Sequence, residues 1–142
     1  MKKVLFLCHG NVNRSPAAEI IARHVYPEHE YKSAGLKTKN GRITAKRTRE
    51  TMTELGYPTE GIRSSACTQE LVDWADEIFY MDDANARRFI DQFPKDTGKA
   101  RKLSDYVAGI NKIPDPAFAE GTIVHRQVIN LIRNALDTWI IG

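Results

Sequence analysis

Apolar runs of strand length alternate along this chain with amphipathic stretches of helix length, and that alternation predicts parallel βαβ units rather than a helical bundle or a β-sandwich. Strands are expected at about Val4–Leu7, Tyr31–Ser33, Glu77–Tyr80 and Arg101–Leu103. Pro16 to Val25 carries Ala17, Ile20, Ile21, His24 and Val25 on one side. Thr44 to Leu55 does the same with Ala45, Thr48, Met52 and Leu55 before Gly56 stops it. Thr68 is placed to cap a short helix bearing Leu71, Val72 and Trp74, and a further helix from Asn85 to Phe93 ends at Pro94. From Ile123 to Ile140 the apolar positions Val124, Val128, Leu131, Ile132, Ala135, Leu136 and Trp139 repeat at helical spacing, predicting a long helix packed across one face of the sheet. No repeat, low-complexity tract or linker divides the chain, so residues 1–142 are expected to form a single domain.

Charge and cysteine usage narrow the picture. The sequence opens on the basic Met1-Lys2-Lys3, but the apolar run that follows lasts only from Val4 to Leu7, too short for a signal peptide core or a membrane span. The two cysteines, Cys8 and Cys67, lie far apart, which argues against a disulfide framework and for a reducing, cytoplasmic compartment. A net charge of +3 is modest, although Lys37, Lys39, Arg42, Lys46, Arg47 and Arg49 crowd into one stretch. Such a run reads first as a solvated face and second as a device that steers an anionic substrate. Nucleic acid is a poor fit, since no RNA-recognition or zinc-finger pattern accompanies the charge.

The chemistry concentrates at the end of the first strand, where the chain reads Cys8-His9-Gly10-Asn11-Val12-Asn13-Arg14-Ser15-Pro16. A cysteine and an arginine with five residues between them stand between a strand end and a helix start, with Ser15 expected as N-cap and Pro16 at the first helical position. Backbone N–H groups of such a loop converge on one point, and the helix N-terminus favours negative charge there. A thiol beside Arg14 and a helix N-terminus should fall from a pKa of ~8.5 into the range of about 3.5–7.5 and serve as a nucleophile. The guanidinium of Arg14 suits two phosphate oxygens at once. Gly10 and Asn11 are residue types that tolerate positive φ, Ser15 is placed to donate to the sulfur, and His9 reads as a wall of the loop rather than a base.

A cysteine attacking a phosphomonoester needs a proton for the leaving oxygen and later a base for water, and one carboxyl can serve both steps. Asp115 within Ile113-Pro114-Asp115-Pro116 is held between prolines on a stiff loop. Asp82 and Asp83, just after the third strand, are rivals because sites form at the C-terminal edge of a parallel sheet.

These residues resemble the low-molecular-weight protein tyrosine phosphatases nearly end to end. The loop from Cys8 to Pro16 is similar to their signature, and Ser33-Ala34-Gly35, Met81-Asp82 with Asn85, and Asp115-Pro116 follow in the family's order. The resemblance implies a four-stranded parallel sheet of order 2-1-3-4 with helices on both faces, the phosphate-binding loop after the first strand, a cysteinyl-phosphate intermediate, and neither metal nor cofactor. It assigns Cys8 as nucleophile, Arg14 as phosphate clamp and Asp115 as general acid then base. His9, Gly10, Asn11, Val12, Asn13, Arg14 and Ser15 would hold the phosphoryl group, with Asn11, Ser15 and Ser33 in a hydrogen-bond network and Asp82 in support.

Three positions depart from the family pattern. Asn13 replaces a cysteine common before the loop arginine, so an internal disulfide with Cys8 cannot form. Leu36-Lys37-Thr38-Lys39-Asn40-Gly41 replaces a segment that commonly carries an aromatic residue, and Ala117 precedes a single Phe118 where aromatics often follow Asp-Pro. With Lys37, Lys39, Asn40 and Ala117 in place of aromatic walls, ring recognition should weaken, and basic residues at the mouth would favour acidic phosphopeptides or other polyanionic phosphoesters.

The expected substrate is thus a phosphorylated protein or small phosphomonoester, with inorganic phosphate as product, and the protein is expected to be a monomer or weak oligomer without membrane partners. A thiol-dependent arsenate reductase would require two further cysteines where only Cys67 is present. A non-catalytic phosphate-binding module would need neither thiolate nor acid, and a zinc site from Cys8, His9 and Cys67 lacks paired short spacing.

Overall fold

A computed structural model describes residues 1–117 and 119–141. Strands β1 (Lys3–Cys8), β2 (Glu30–Gly35), β3 (Glu77–Tyr80) and β4 (Ala100–Lys102) form one all-parallel sheet in the order β2-β1-β3-β4. Between and after them run helices α1 (Arg14–Val25), α2 (Lys46–Glu54), α3 (Gln69–Trp74), α4 (Asp83–Gln92) and α5 (Ile123–Ile141). The strand order reverses beside β1, so the segments leaving the C-terminal ends of β1 and β3 open a crevice there, which is where parallel α/β sheets place their ligands.

Helices cover both faces, and β1 is central, so its residues are apolar on both sides. Val4, Phe6 and Cys8 point into a core shared with α1 and α5, including Ile21, Ile132 and Leu136. The alternate residues Leu5 and Leu7 meet Val72 of α3 and Phe89 of α4 on the other side. The period of two along β1 therefore delivers Cys8 to the face that α1 covers. Thr68 caps α3 as expected, its hydroxyl accepting from Leu71 N–H at 3.2 Å.

Three helix starts differ from the sequence reading. α2 begins at Lys46, not Thr44, with Ala45 in the N-cap position. α1 begins at Arg14, not Pro16, with Asn13 rather than Ser15 in the N-cap position and no side-chain cap. Both side chains are recruited elsewhere: Asn13 Oδ1 accepts from Thr48 Oγ1 at 2.6 Å, and Ser15 Oγ lies 2.9 Å from Cys8 Sγ. Pro16 then stands third in the helix, still within the first turn, where its missing N–H costs nothing. α4 begins at Asp83 because Asp82 is its cap, accepting from Asn85 N–H at 2.7 Å.

Candidate active site

The loop between β1 and α1 wraps around the Cys8 sulfur. Cys8 is 3% exposed, and two donors converge on Sγ: the Asn11 N–H at 3.3 Å and the Ser15 hydroxyl at 2.9 Å. Ser15 Oγ also accepts from Asn11 Nδ2 at 2.8 Å, and the alternative acceptor for its proton, Ala34 C=O, lies 3.5 Å away. A hydroxyl proton directed at the sulfur would stabilise negative charge there. With no side-chain cap on α1, the first-turn N–H groups remain available to an oxyanion in the loop.

Asn11 is the strut of this loop. Its φ of 55° is the left-handed turn expected of an Asx residue, whereas Gly10, the other residue type suited to that turn, is not in the positive-φ region. The Asn11 amide donates to Ser15 Oγ and to Ser33 Oγ, the latter at 2.9 Å, and its Oδ1 accepts from Ser65 N–H at 2.8 Å, so every polar atom of the side chain is used. The Ser33 hydroxyl donates to Glu19 Oε1 at 2.6 Å, and Glu19 pairs with Arg23 at 2.7 Å. Burial pushes the Glu19 carboxyl above its ordinary range, against the opposing pull of Ser33 and Arg23. Glu19 was not singled out from sequence, although an acid among Ala17, Ala18, Ile20 and Ile21 on a helix was the available signal.

Gly35 closes β2 directly beneath the loop. A side chain there would stand 2.6 Å from the Thr38 methyl and 3.0 Å from His9 C=O, so only glycine allows this approach. The same strand end fixes the loop by backbone bonds, Leu36 N–H to Cys8 C=O and Lys37 N–H to His9 C=O, each at 2.9 Å.

Arg14 is 3% exposed and points one nitrogen at Asp82 Oδ2 (2.7 Å) and Ile113 C=O (2.8 Å), while its other terminal nitrogen lies 3.7 Å from Asp115 Oδ2. Burial alone would raise the Asp82 carboxyl. The Arg14 and Asn85 donors outweigh it and hold Asp82 below the usual carboxylate range. Asp115 is 44% exposed on its side chain and accepts from Ala117 N–H at 3.0 Å, a local turn that fixes the carboxylate between its prolines.

A cavity of about 280 Å³ opens above the sulfur. Cys8, His9, Gly10, Val12, Asn13 and Arg14 line it from the loop, and Asp115, Ala117 and Arg42 from across the mouth. Asn11, Ser15, Ser33 and Asp82 do not line it. The Asn11 side chain bonds Ser15 and Ser33 behind the loop, and Asp82 orients Arg14. Of the basic run, Arg42 alone reaches this cavity. Lys37 and Lys39 are exposed outside it, Arg49 donates to Thr44 C=O, and Asn40 accepts from Ala66 N–H. Phe118 lies outside the described residues.

The sequence model of the family described as low molecular weight phosphotyrosine protein phosphatase matches residues 3–141. The chain belongs to that family. Its reaction class is therefore phosphate hydrolysis. The protein-arginine-phosphatase of Geobacillus stearothermophilus is similar to this low molecular weight phosphatase at 31% identity over 140 residues, covering 97% of this chain and 90% of the relative. The low molecular weight protein-tyrosine-phosphatase PtpB of Staphylococcus epidermidis is 30% identical over 135 residues, covering 95% and 94%. Among solved structures, a protein tyrosine phosphatase from Entamoeba histolytica with Hepes in the active site superposes with a TM-score of 0.89 at 29% identity, covering 99% of this chain and 96% of that one.

Cys67, the remaining thiol, packs with the apolar cluster on the opposite face of the sheet from Cys8, and burial pushes it up to about 12. It is therefore not a thiolate near neutral pH and does not share the core that holds Cys8, which removes support from the arsenate-reductase alternative. Among the described residues, no group of three or more His, Cys, Asp or Glu side chains is placed to hold a metal ion. No helix among them is long and apolar enough to cross a membrane.

Proposed function

We propose that the chain hydrolyses phosphotyrosyl residues of proteins, with Cys8 as nucleophile, Arg14 and the loop amides as the phosphoryl cradle, and Asp115 as general acid and base. In the first step Sγ bonds to phosphorus as the ester P–O bond breaks, and the leaving oxygen takes the Asp115 proton. In the second, water attacks the cysteinyl phosphate, Asp115 accepts the water proton, and the P–S bond breaks to release inorganic phosphate. Arg14 and the amides face the equatorial oxygens through both steps, where charge gathers in the transition state.

The observation that carries this reading is the single cavity that holds both the Cys8 sulfur and the Asp115 carboxyl. What favours Asp115 over Asp82 as the acid is that Asp82 is occupied by Arg14 and Asn85, is held below the ordinary carboxylate range and stands outside the cavity. An aryl ester is favoured over a phosphoguanidine, the substrate class in one relative's name, because Arg42 in the same cavity opposes a cationic leaving group while Val12 and Ala117 offer apolar contact to a ring. The domain of residues 1–142 acts in the reducing cytoplasm, as a free thiol nucleophile without a nearby partner thiol requires, and as a monomer or weak oligomer.

Acid-quenching the enzyme during turnover of an aryl phosphate and mapping the peptides by mass spectrometry tests the reading. A phosphoryl group on the Cys8 peptide is expected, and a phosphoryl group on any other residue would overturn the assignment. Parallel assays with phosphotyrosyl and phosphoarginyl peptides are expected to favour the former.

A further inference from the structure

Two arginines, Arg14 and Arg42, line the cavity that contains Cys8. Arg14, Arg23, Arg126 and Arg133 each pair with an acid, whereas Arg42 has no carboxylate within ion-pair distance among the described residues. Its one side-chain hydrogen bond there is to Thr38 Oγ1 at 3.5 Å, the outer limit of such a contact. Its backbone, by contrast, is fixed on both sides by one residue: Arg42 N–H donates to Ser64 Oγ at 2.8 Å, and Ser64 N–H donates to Arg42 C=O at 2.7 Å. The guanidinium reaches over the phosphate loop, so that a methyl group added at Gly10 would stand 3.6 Å from its Nη1. It is a charged head on an anchored base, exposed, unneutralised, and lining the cavity that contains Cys8 and Asp115.

We infer that Arg42 is a specificity-determining residue that selects substrates bearing a second anionic group beside the scissile phosphoryl, namely proteins with an acidic side chain next to the phosphorylated residue. The inference rests on the phosphatase reading above. Arg14 is already directed at Asp82, Ile113 and the phosphoryl position, so it is not available to a second anion. Lys37 and Lys39 carry charge but do not line the cavity. A carboxylate one residue from the phosphorylated side chain would meet a fork of donors that matches its two oxygens. Because Arg42 is exposed, the preference is moderate, about threefold to fivefold in kcat/KM, and narrows as salt rises.

The test compares two phosphotyrosyl peptides that differ only in having Glu or Ala beside the phosphorylated residue, assayed on the full chain, on Arg42→Ala, on Arg42→Lys and on Lys37→Ala. The acidic-to-neutral ratio of kcat/KM is the readout, since it is independent of any change in absolute rate. The wild type and Lys37→Ala are expected to share a ratio of about threefold to fivefold, Arg42→Ala to bring it close to one, and Arg42→Lys to retain part of it through charge alone. A ratio unchanged in Arg42→Ala would overturn the role of Arg42 and leave the phosphatase reading intact. This includes the case in which both peptides slow equally because Arg42 touches the phosphoryl group itself. Failure of the wild type to hydrolyse either peptide or a simple aryl phosphate would overturn the phosphatase reading and the inference with it.

Discussion

The loop from Cys8 to Ser15 and the segment from Ile113 to Ala117 both contribute to one cavity, yet they are built on opposite terms. In the loop, the sulfur, the Asn11 amide and the Ser15 and Ser33 hydroxyls are buried and joined by hydrogen bonds of 2.8 to 3.3 Å. In the second segment, Ile113 is tied in by N–H to Met81 C=O at 2.8 Å and by its own C=O to Arg14, but Asp115 two residues later is half-exposed and held by a turn of its own. The contrast fits the role proposed for each region. A nucleophile and oxyanion cradle gain from fixed donors that need no reorganisation, whereas an acid that gives up and regains a proton must stay in reach of water.

The largest effect is expected where the fixed region loses its reacting atom. Cys8→Ala should abolish turnover. It should keep the phosphate-induced rise in Tm, because the loop amides and Arg14 remain; loss of both together would mean that the sulfur also shapes the cradle.

Next is the strut. Asn11→Ala leaves the Ser65 N–H unpaired, frees Ser15 and Ser33, and forces an alanine to a φ of 55°. Destabilisation of about 2–5 kcal/mol by denaturant titration and a fall of ~10–10² in kcat/KM are expected. If a variant that still folds retained the wild-type rate, the loop would not depend on this network and the contrast with the Asp115 segment would lose its meaning.

The smallest effect lies deepest in the network and sharpens the comparison through pH. Glu19 is raised in the folded state by burial, so its contribution favours folding below the ordinary Glu pKa of ~4.3 and is lost as pH rises through the raised value. Asp82 has the opposite sign: its contribution is present above ~3.9 and is lost as pH falls through the lowered value. Glu19→Gln keeps an acceptor for Ser33 without the buried charge, so the stability of the wild type relative to this variant should decline from pH 4 towards neutrality. A pH-independent difference would show that Glu19 does not titrate within the network.

Much of this architecture was legible from local signals. The continuous apolar run of β1 and the helical spacing of α5 are periodicities read within a few turns of chain, and Cys8 and Arg14 are near neighbours in sequence. Cap positions were less legible, because Ser15 and Asn13 are good caps by type but are claimed by Cys8 and Thr48. The division of labour proposed for Asp82 and Asp115 rests on contacts 68 and 99 positions from Arg14, to Asp82 and Ile113, that no local pattern encodes. Arg42 was hidden for a related reason. Six basic residues crowd that stretch, and the one whose backbone pairs with the distant Ser64 is the one that reaches the cavity.

The proposal that the exposed Asp115 carboxyl transfers the proton while the half-buried Asp82 holds the arginine is tested most directly by a leaving-group series. kcat/KM is measured for aryl phosphates of rising leaving-group pKa on the wild type, Asp115→Asn and Asp82→Asn. Asp115→Asn should lose ~10²–10⁴ on the most basic leaving groups and much less on the most acidic, giving a steep dependence. Asp82→Asn should lower all substrates by a similar factor through misplacement of Arg14. A steep dependence in Asp82→Asn with a flat one in Asp115→Asn would contradict the account and exchange the roles of the two carboxylates.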